Sequence, residues 1–131
     1  MTDESPRSER PRVLVVDDEP HIRRMLSMVL GAEGFTVKTA SDGASGLRAL
    51  EGGRVDLVVL DLVMPDANGL EILARIRTDQ RLKSIPVIIL TAKGQDTDRE
   101  AALAGGADDF MTKPFSPKKL IARIRELVGV E

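Results

Sequence analysis

Between Arg12 and Val128 the chain alternates two kinds of apolar pattern, and this alternation limits the possible folds more than any other feature. The first kind is the short continuous run. Val13-Leu14-Val15-Val16 is followed by the weaker Phe35-Thr36-Val37, then Val55-Asp56-Leu57-Val58-Val59-Leu60, Ile85-Pro86-Val87-Ile88-Ile89-Leu90 and a brief Phe110-Met111. Runs rich in β-branched residues, without polar alternation, fit strands covered on both faces, as in a parallel sheet. The second kind is the stripe at helical spacing. Ile22, Met25, Leu26, Val29 and Leu30 form one; Gly69, Ile72, Leu73 and Ile76 another; Leu120, Ile121, Ile124, Leu127 and Val128 a third. Asp42-Gly43 before Ala44, Leu47 and Leu50 marks a shorter helix, and Ser116 with Pro117 supplies an N-cap and first helical position for the last one. Residues 95–104 offer only Ala101, Ala102, Leu103 and Ala104 for burial, so this helix is expected to be the most mobile.

Five β–α units in succession predict an α/β fold: a flavodoxin-like (βα)5 doubly wound parallel sheet with strand order 2-1-3-4-5 and helices on both faces. Residues 1–11, polar and carrying Pro6 and Pro11, read as a flexible arm, and residues 12–131 as one domain. A chain of 131 residues can bury one core and not two.

Composition removes several kinds of chemistry. With no cysteine and one histidine, disulfide frameworks, thiolate metal sites and multi-histidine centres are excluded. Trp and Tyr are absent and Phe occurs three times, so platforms for stacking nucleobases or flavins are missing. Nineteen basic against 21 acidic side chains give no general attraction to nucleic acid. No apolar run is long enough to cross a membrane, and the first residues hold no apolar signal core, so a cytoplasmic location is expected.

In a sheet of this order, ligands bind beyond the carboxyl ends of the strands, where the order reverses between strands one and three. Strand one runs into Asp17-Asp18-Glu19, strand three into Asp61, strand four into Thr91, and strand five into Lys113-Pro114. The predicted order therefore gathers three aspartates, a hydroxyl and an ammonium. Carboxylates so placed repel and raise one another's pKa, and a hard cation and a fixed lysine relieve that repulsion. Magnesium, or manganese in its place, takes oxygen ligands of this kind and leaves room for phosphate oxygens. An aspartate beside such a cation can attack phosphorus, with a hydroxyl and an ammonium stabilising the phosphoryl oxygens. Each residue alone has an ordinary reading. Asp17, Asp18 and Glu19 suit a helix start before Pro20; Asp61 suits a loop cap before Pro65, Asn68 and Gly69; Thr91 suits a strand end and Lys113 a solvated surface. Only their shared register makes a site.

The set Asp17-Asp18, Asp61 with Met64-Pro65 three and four residues on, Thr91-Ala92, and Lys113-Pro114-Phe115 resembles the receiver domain of two-component response regulators, over about residues 12–129. The resemblance implies that Asp61 accepts a phosphoryl group from a histidine on a sensor histidine kinase or histidine phosphotransfer protein. It implies that Asp18, Asp61 and the Val63 backbone carbonyl bind magnesium directly, with Asp17 acting through a water. Thr91 and Lys113 would engage the phosphoryl group, and Phe110 would turn inward as Thr91 moves. The Val63 and Lys93 side chains would border the path of hydrolytic water and tune phosphoryl lifetime. The Lys113-Pro114 bond would be cis.

The resemblance further implies a partner-binding face built from helix four, strand five and helix five, serving a downstream protein or effector domain. A phosphorylation-dependent homodimer could use the same face; Arg99, Asp109, Arg123 and Arg125 suit it, whereas Ala104 stands where an acid is common. The expected function is a self-phosphorylating signalling domain, not a turnover enzyme, in a stand-alone regulator or in a longer, DNA-binding one. This domain itself would contact neither nucleic acid nor membrane. An aspartate-nucleophile phosphatase would need a second carboxylate where Val63 stands. A nucleotide carrier would need a glycine-rich loop where the acids stand. A phosphate-independent interaction module of the same fold is the alternative.

Overall fold

Each apolar run becomes a strand and each stripe a helix. The computed structural model describes residues 10–92 and 96–129, leaving Lys93 and residues 1–9 of the expected arm outside the described residues. The elements are β1 (Arg12–Val16), α1 (Pro20–Ala32), β2 (Thr36–Ala40), α2 (Gly43–Glu51), β3 (Leu57–Asp61), α3 (Gly69–Thr78), β4 (Val87–Ala92), α4 (Asp96–Ala104), β5 (Asp109–Lys113) and α5 (Pro117–Val128). The strands pair in parallel in the order β2-β1-β3-β4-β5, as expected.

Strand parity sends neighbouring residues to opposite faces. Leu14, Val16, Val58, Leu60, Val87 and Ile89 share one core with Ile72, Leu73 and Ile76 of α3. Val13, Val15, Leu57, Val59, Ile88 and Leu90 share the other with Leu26, Leu30, Leu120 and Ile124. Burying one such aliphatic side chain contributes about 2 kcal/mol. By that measure α3 is firmly seated, while α4 buries only Ala102 among its described side chains.

The edge strands differ most from their apolar runs. β2 begins at Thr36 and continues to Ala40, with Thr36, Lys38 and Thr39 exposed. β5 extends from Asp109 to Lys113 because backbone pairing to β4 carries it beyond Phe110 and Met111, which pack against the two cores. β4 starts one residue after Pro86, which has no N–H to give but accepts from Val58 N at 3.0 Å. Met28 is 71 % exposed because it lies off the buried Ile22–Leu26–Leu30 stripe of α1.

Local chemistry sets the helix starts that frame the carboxyl edge. Asp42 caps α2, Ser116 caps α5, and Asn68 with Glu71 makes a capping box for α3. Gly69 is required by close approach: a Cβ there would lie 2.6 Å from the Asp61 carbonyl oxygen. The Lys113–Pro114 peptide is cis.

Candidate functional site

β1 delivers Asp17 to the pocket, fully buried and tied down on three sides. Its N–H donates to Ala40 O at 3.0 Å, its Oδ1 accepts from Glu19 N at 2.9 Å, and its carbonyl accepts from Arg23 Nη1 at 2.7 Å. Asp61 is the last residue of β3 and is also buried, its Oδ1 accepting from Val63 N at 3.4 Å. Asp18 is less buried and completes the group: one carboxylate oxygen from each of Asp17, Asp18 and Asp61 lies within 4.8 Å of the others.

Lys113 enters from β5. Its Nζ lies 2.6 Å from Glu19 Oε1, 2.9 Å from Asp17 Oδ2 and 3.4 Å from Asp61 Oδ2. Three carboxylates thus face one ammonium, with Asp18 close behind. Burial and the Asp17 charge push the Asp61 carboxyl up to about 7, against the opposing pull of Lys113 and the Val63 amide. Burial lowers the Lys113 ammonium, but its bonds to Glu19 and Asp17 and the nearby carboxylate charges outweigh it and raise the group above its ordinary value. Glu19, bonded to Lys113, is held below the usual carboxylate range.

Thr91 stands on β4 one residue beyond Leu90, the register partner of Asp61. It is 1 % exposed, and among the described residues its Oγ1 has no hydrogen-bond partner. An unpartnered buried hydroxyl costs about 1–3 kcal/mol, so this edge of the pocket is short of an acceptor. Asp17 Oδ2 likewise lacks a well-aligned hydrogen bond and relies on the Lys113 charge. The donor set is all oxygen, carries excess negative charge and leaves polar groups unmatched. Those are the properties that suit a hard divalent cation together with an anionic ligand.

Of the residues expected here, Asp17, Asp18, Asp61 and Lys113 meet in one pocket, and Thr91 lies in the next strand. Val63 follows in the β3–α3 loop, its side chain 68 % exposed and its backbone bridged to Asn68. Phe110 is half-buried in β5 beneath the Arg99 guanidinium, 5.9 Å from the ring centroid. His21 is exposed. Arg123 bonds Asp109 at 2.7 Å and Arg125 bonds Glu33 at 2.6 Å, both within the chain.

Glu19 was legible only as an acidic helix start. In the structure its side chain makes no cap for α1 and holds Lys113 instead. The sequence signal was an acid in excess of what a helix start needs. Asp66 carried no such signal, yet its carboxylate accepts from Gly43 N at 2.8 Å and Ala44 N at 3.1 Å.

The molecule is a doubly wound α/β domain with an acidic, oxygen-only pocket at its switch point. The family described as the response regulator receiver domain matches residues 13–125, and the chain belongs to that family. Receiver domains hold magnesium in an acidic pocket, and an aspartate cluster of that kind is present here. The chain is 49 % identical over 116 residues to the transcriptional regulatory protein TcrA of Mycobacterium tuberculosis, covering 88 % of this chain and 45 % of that protein. It therefore spans about half the length of such relatives. Among solved structures, the receiver domain of the Francisella response regulator 1452 aligns with a TM-score of 0.84 and 32 % identity, covering 92 % of this chain and 98 % of that one. The receiver domain of the Pseudomonas aeruginosa sensor histidine kinase PA1611, with magnesium in its active-site cleft, aligns with a TM-score of 0.84 and 28 % identity over 92 % and 98 % of the two chains.

Proposed function

We propose that residues 12–131 act as a phosphorylation switch with Asp61 as the phosphoacceptor. The observation that carries this reading is the pocket itself. Asp61 is clustered with two further aspartates, Lys113 Nζ is 3.4 Å from its Oδ2, and Thr91 Oγ1 is buried without a partner. An Asp61 carboxylate oxygen attacks the phosphorus of a phosphohistidine on a sensor histidine kinase or histidine phosphotransfer protein. The O–P bond forms as the P–N bond breaks, and the released electron pair stays on that imidazole nitrogen, so the ring leaves as neutral histidine with its proton on the other nitrogen.

Asp61 must be ionised to attack, and burial opposes that. Magnesium, held by Asp17, Asp18, Asp61 and the Val63 carbonyl, would supply the positive charge that favours the carboxylate and the transferring group. Lys113 pairs with one phosphoryl oxygen and Thr91 donates its hydroxyl proton to another. The magnesium reported for the PA1611 receiver supports this assignment. Loss of the phosphoryl group follows attack by water, and the side chains of Val63 and Lys93 set how fast it arrives.

The same event is the signal. As Thr91 and Lys113 shift toward the new charge, Phe110 turns inward and the face formed by α4, β5 and α5 changes its partners. The relative named as a transcriptional regulator supports an effector domain as the downstream partner. Where two copies pair through this face, Arg123 exchanges its bond to Asp109 for one across the interface. Nothing in this cycle requires turnover of a free substrate.

The test is intact-protein mass after incubation with acetyl phosphate, with and without magnesium, for wild type and Asp61→Asn. The expected result is gain of one phosphoryl group that requires magnesium and disappears in the variant. Equal labelling of Asp61→Asn at another residue would overturn the assignment. No gain from acetyl phosphate or a phosphohistidine donor would favour the phosphate-independent interaction module.

A further inference from the structure

We propose that Asp66 is a positioning residue for this pocket: its carboxylate clasps the loop carrying Val63 to the N-terminus of α2 and so fixes the Val63 carbonyl relative to Asp17 and Asp18. The inference rests on the assignment of that pocket to magnesium.

The loop between β3 and α3 is anchored beneath by Leu62 and Met64, both buried in the core, and toward β4 by the Leu62 N–H to Leu90 O bond at 2.9 Å. The Val63–Asn68 bridge and the Gly69 N–H to Leu62 O bond at 2.6 Å close it on itself. The Val63 side chain, 68 % exposed, adds almost no packing. Among the described residues, the side-chain hydrogen bonds that tie the loop to α2 are those of Asp66, whose two oxygens accept from Gly43 N at 2.8 Å and Ala44 N at 3.1 Å. The approach is close enough that a Cβ at Gly43 would lie 2.8 Å from the Ala67 Cβ.

α2 is in turn seated on the strand that delivers the other acids. A Cβ at Gly46 would lie 3.0 Å from Val16 Cγ2, and Val16 directly precedes Asp17. Asp17 N is bonded to Ala40 O, two residues before the α2 cap. The carboxylates and the Val63 carbonyl therefore come from segments joined through the first turn of α2, and Asp66 makes the side-chain link between that turn and the loop.

A simpler role is capping of α2. That helix already has its cap, since Asp42 Oδ1 accepts from Ser45 N at 2.8 Å. Asp66 takes the Gly43 and Ala44 amides, which in an ordinary helix face water. Asp42→Ala is thus the natural comparison: it removes an acid from the same helix end without touching the loop.

The experiment is calorimetric titration of magnesium alone, without a phosphoryl donor, into wild type, Asp66→Ala, Asp66→Asn and Asp42→Ala. Groups that orient a metal's ligands without touching the metal change affinity by roughly 10- to 100-fold, so Asp66→Ala is expected to bind about 10-fold more weakly. Asp66→Asn keeps one acceptor oxygen and should recover part of that loss, which an effect of charge alone would not allow. Asp42→Ala should stay within about twofold of wild type while its melting temperature falls. An unchanged affinity in Asp66→Ala, an equal loss in Asp42→Ala, or no recovery in Asp66→Asn overturns the proposal. Should Asp66→Ala fail to fold, Asp66→Asn against Asp42→Ala decides it. Wild type that binds no magnesium would refute the pocket assignment itself, and with it the inference.

Discussion

In magnesium-free solution, Asp61→Asn is expected to stabilise the fold, and to do so more at pH 8 than at pH 5. Burial and the Asp17 charge raise the Asp61 carboxyl from 3.8 to about 7 in the folded chain. The folded state therefore holds this proton more tightly than the unfolded state. Its contribution to stability is fully present below the unfolded value of 3.8 and is lost as pH rises through about 7. At about 1.4 kcal/mol per decade, the whole interval corresponds to about 4 kcal/mol. Asn keeps the shape and cannot ionise, but it retains the desolvation cost of a buried amide. About half of that interval should be recovered at pH 8, roughly 2 kcal/mol, and about 1 kcal/mol at pH 5. With no Trp or Tyr in the chain, unfolding in urea with EDTA is best followed by far-ultraviolet circular dichroism. At a slope of about 1–2 kcal/mol per molar urea, the midpoint should rise by about 1–2 M at pH 8. Added magnesium should stabilise wild type selectively and narrow the gap. A wild type more stable than the variant at pH 8, or an equal gap at both pH values, would refute the reasoning.

Three further outcomes test other parts of the structure. Gly69→Ala places a Cβ 2.6 Å from Asp61 O and 2.8 Å from Leu62 Cα, so it should cost about 2–4 kcal/mol in urea unfolding and slow labelling by acetyl phosphate. A loss under about 1 kcal/mol would mean the loop yields easily. Arg77 donates to the carbonyls of Gly106, Lys83 and Ile85 and to Asp108, so Arg77→Ala should lose about 2–3 kcal/mol. Because those bonds lie at the amino ends of the strands, phosphoryl uptake should be unchanged; reduced uptake would show the two ends of the sheet to be coupled. Lys113→Ala should still accept a phosphoryl group but no longer change its partner preference, and unchanged selectivity by pull-down would count against its switching role.

How much of this was legible depended on whether a feature is local. The central strands announced themselves because β1, β3 and β4 are covered on both faces, which forces apolar residues onto consecutive positions. The Ser116 N-cap and the helix start marked by Asp42-Gly43 were legible because such signals are read within one helical turn. β2 and β5 were only half visible, since edge strands can be polar and still pair. The acidic pocket was visible because the strand order converts four separate strand ends into neighbours. Glu19 with Lys113, 94 residues apart, and Asp66 with α2, 22 and 23 residues apart, were not visible. Such contacts depend on how closely two segments approach in space, and no periodicity records that distance. Gly69 could be read only as part of a turn and a stripe, although it is glycine because backbone lies where its Cβ would be.

The uneven seating of the helices bears on where a change in the pocket can travel. Thr91 and Lys113 sit at the carboxyl ends of β4 and β5, and β5 is the strand against which α4 packs. α3 resists displacement because Ile72, Leu73 and Ile76 are each buried, at about 2 kcal/mol apiece. α5 is held by Leu120, Ile121 and Ile124 and by ion pairs from Arg123 and Arg125. α4 has Ala102 as its buried side chain among those described, with Leu103 44 % exposed and Arg99 held over the Phe110 ring. An inward turn of Phe110 would remove that ring from beneath Arg99, a contact that joins α4 to β5. On the proposed reading, the new charge at Asp61 need not move the core at all; it has only to shift the balance of the element that the core holds least.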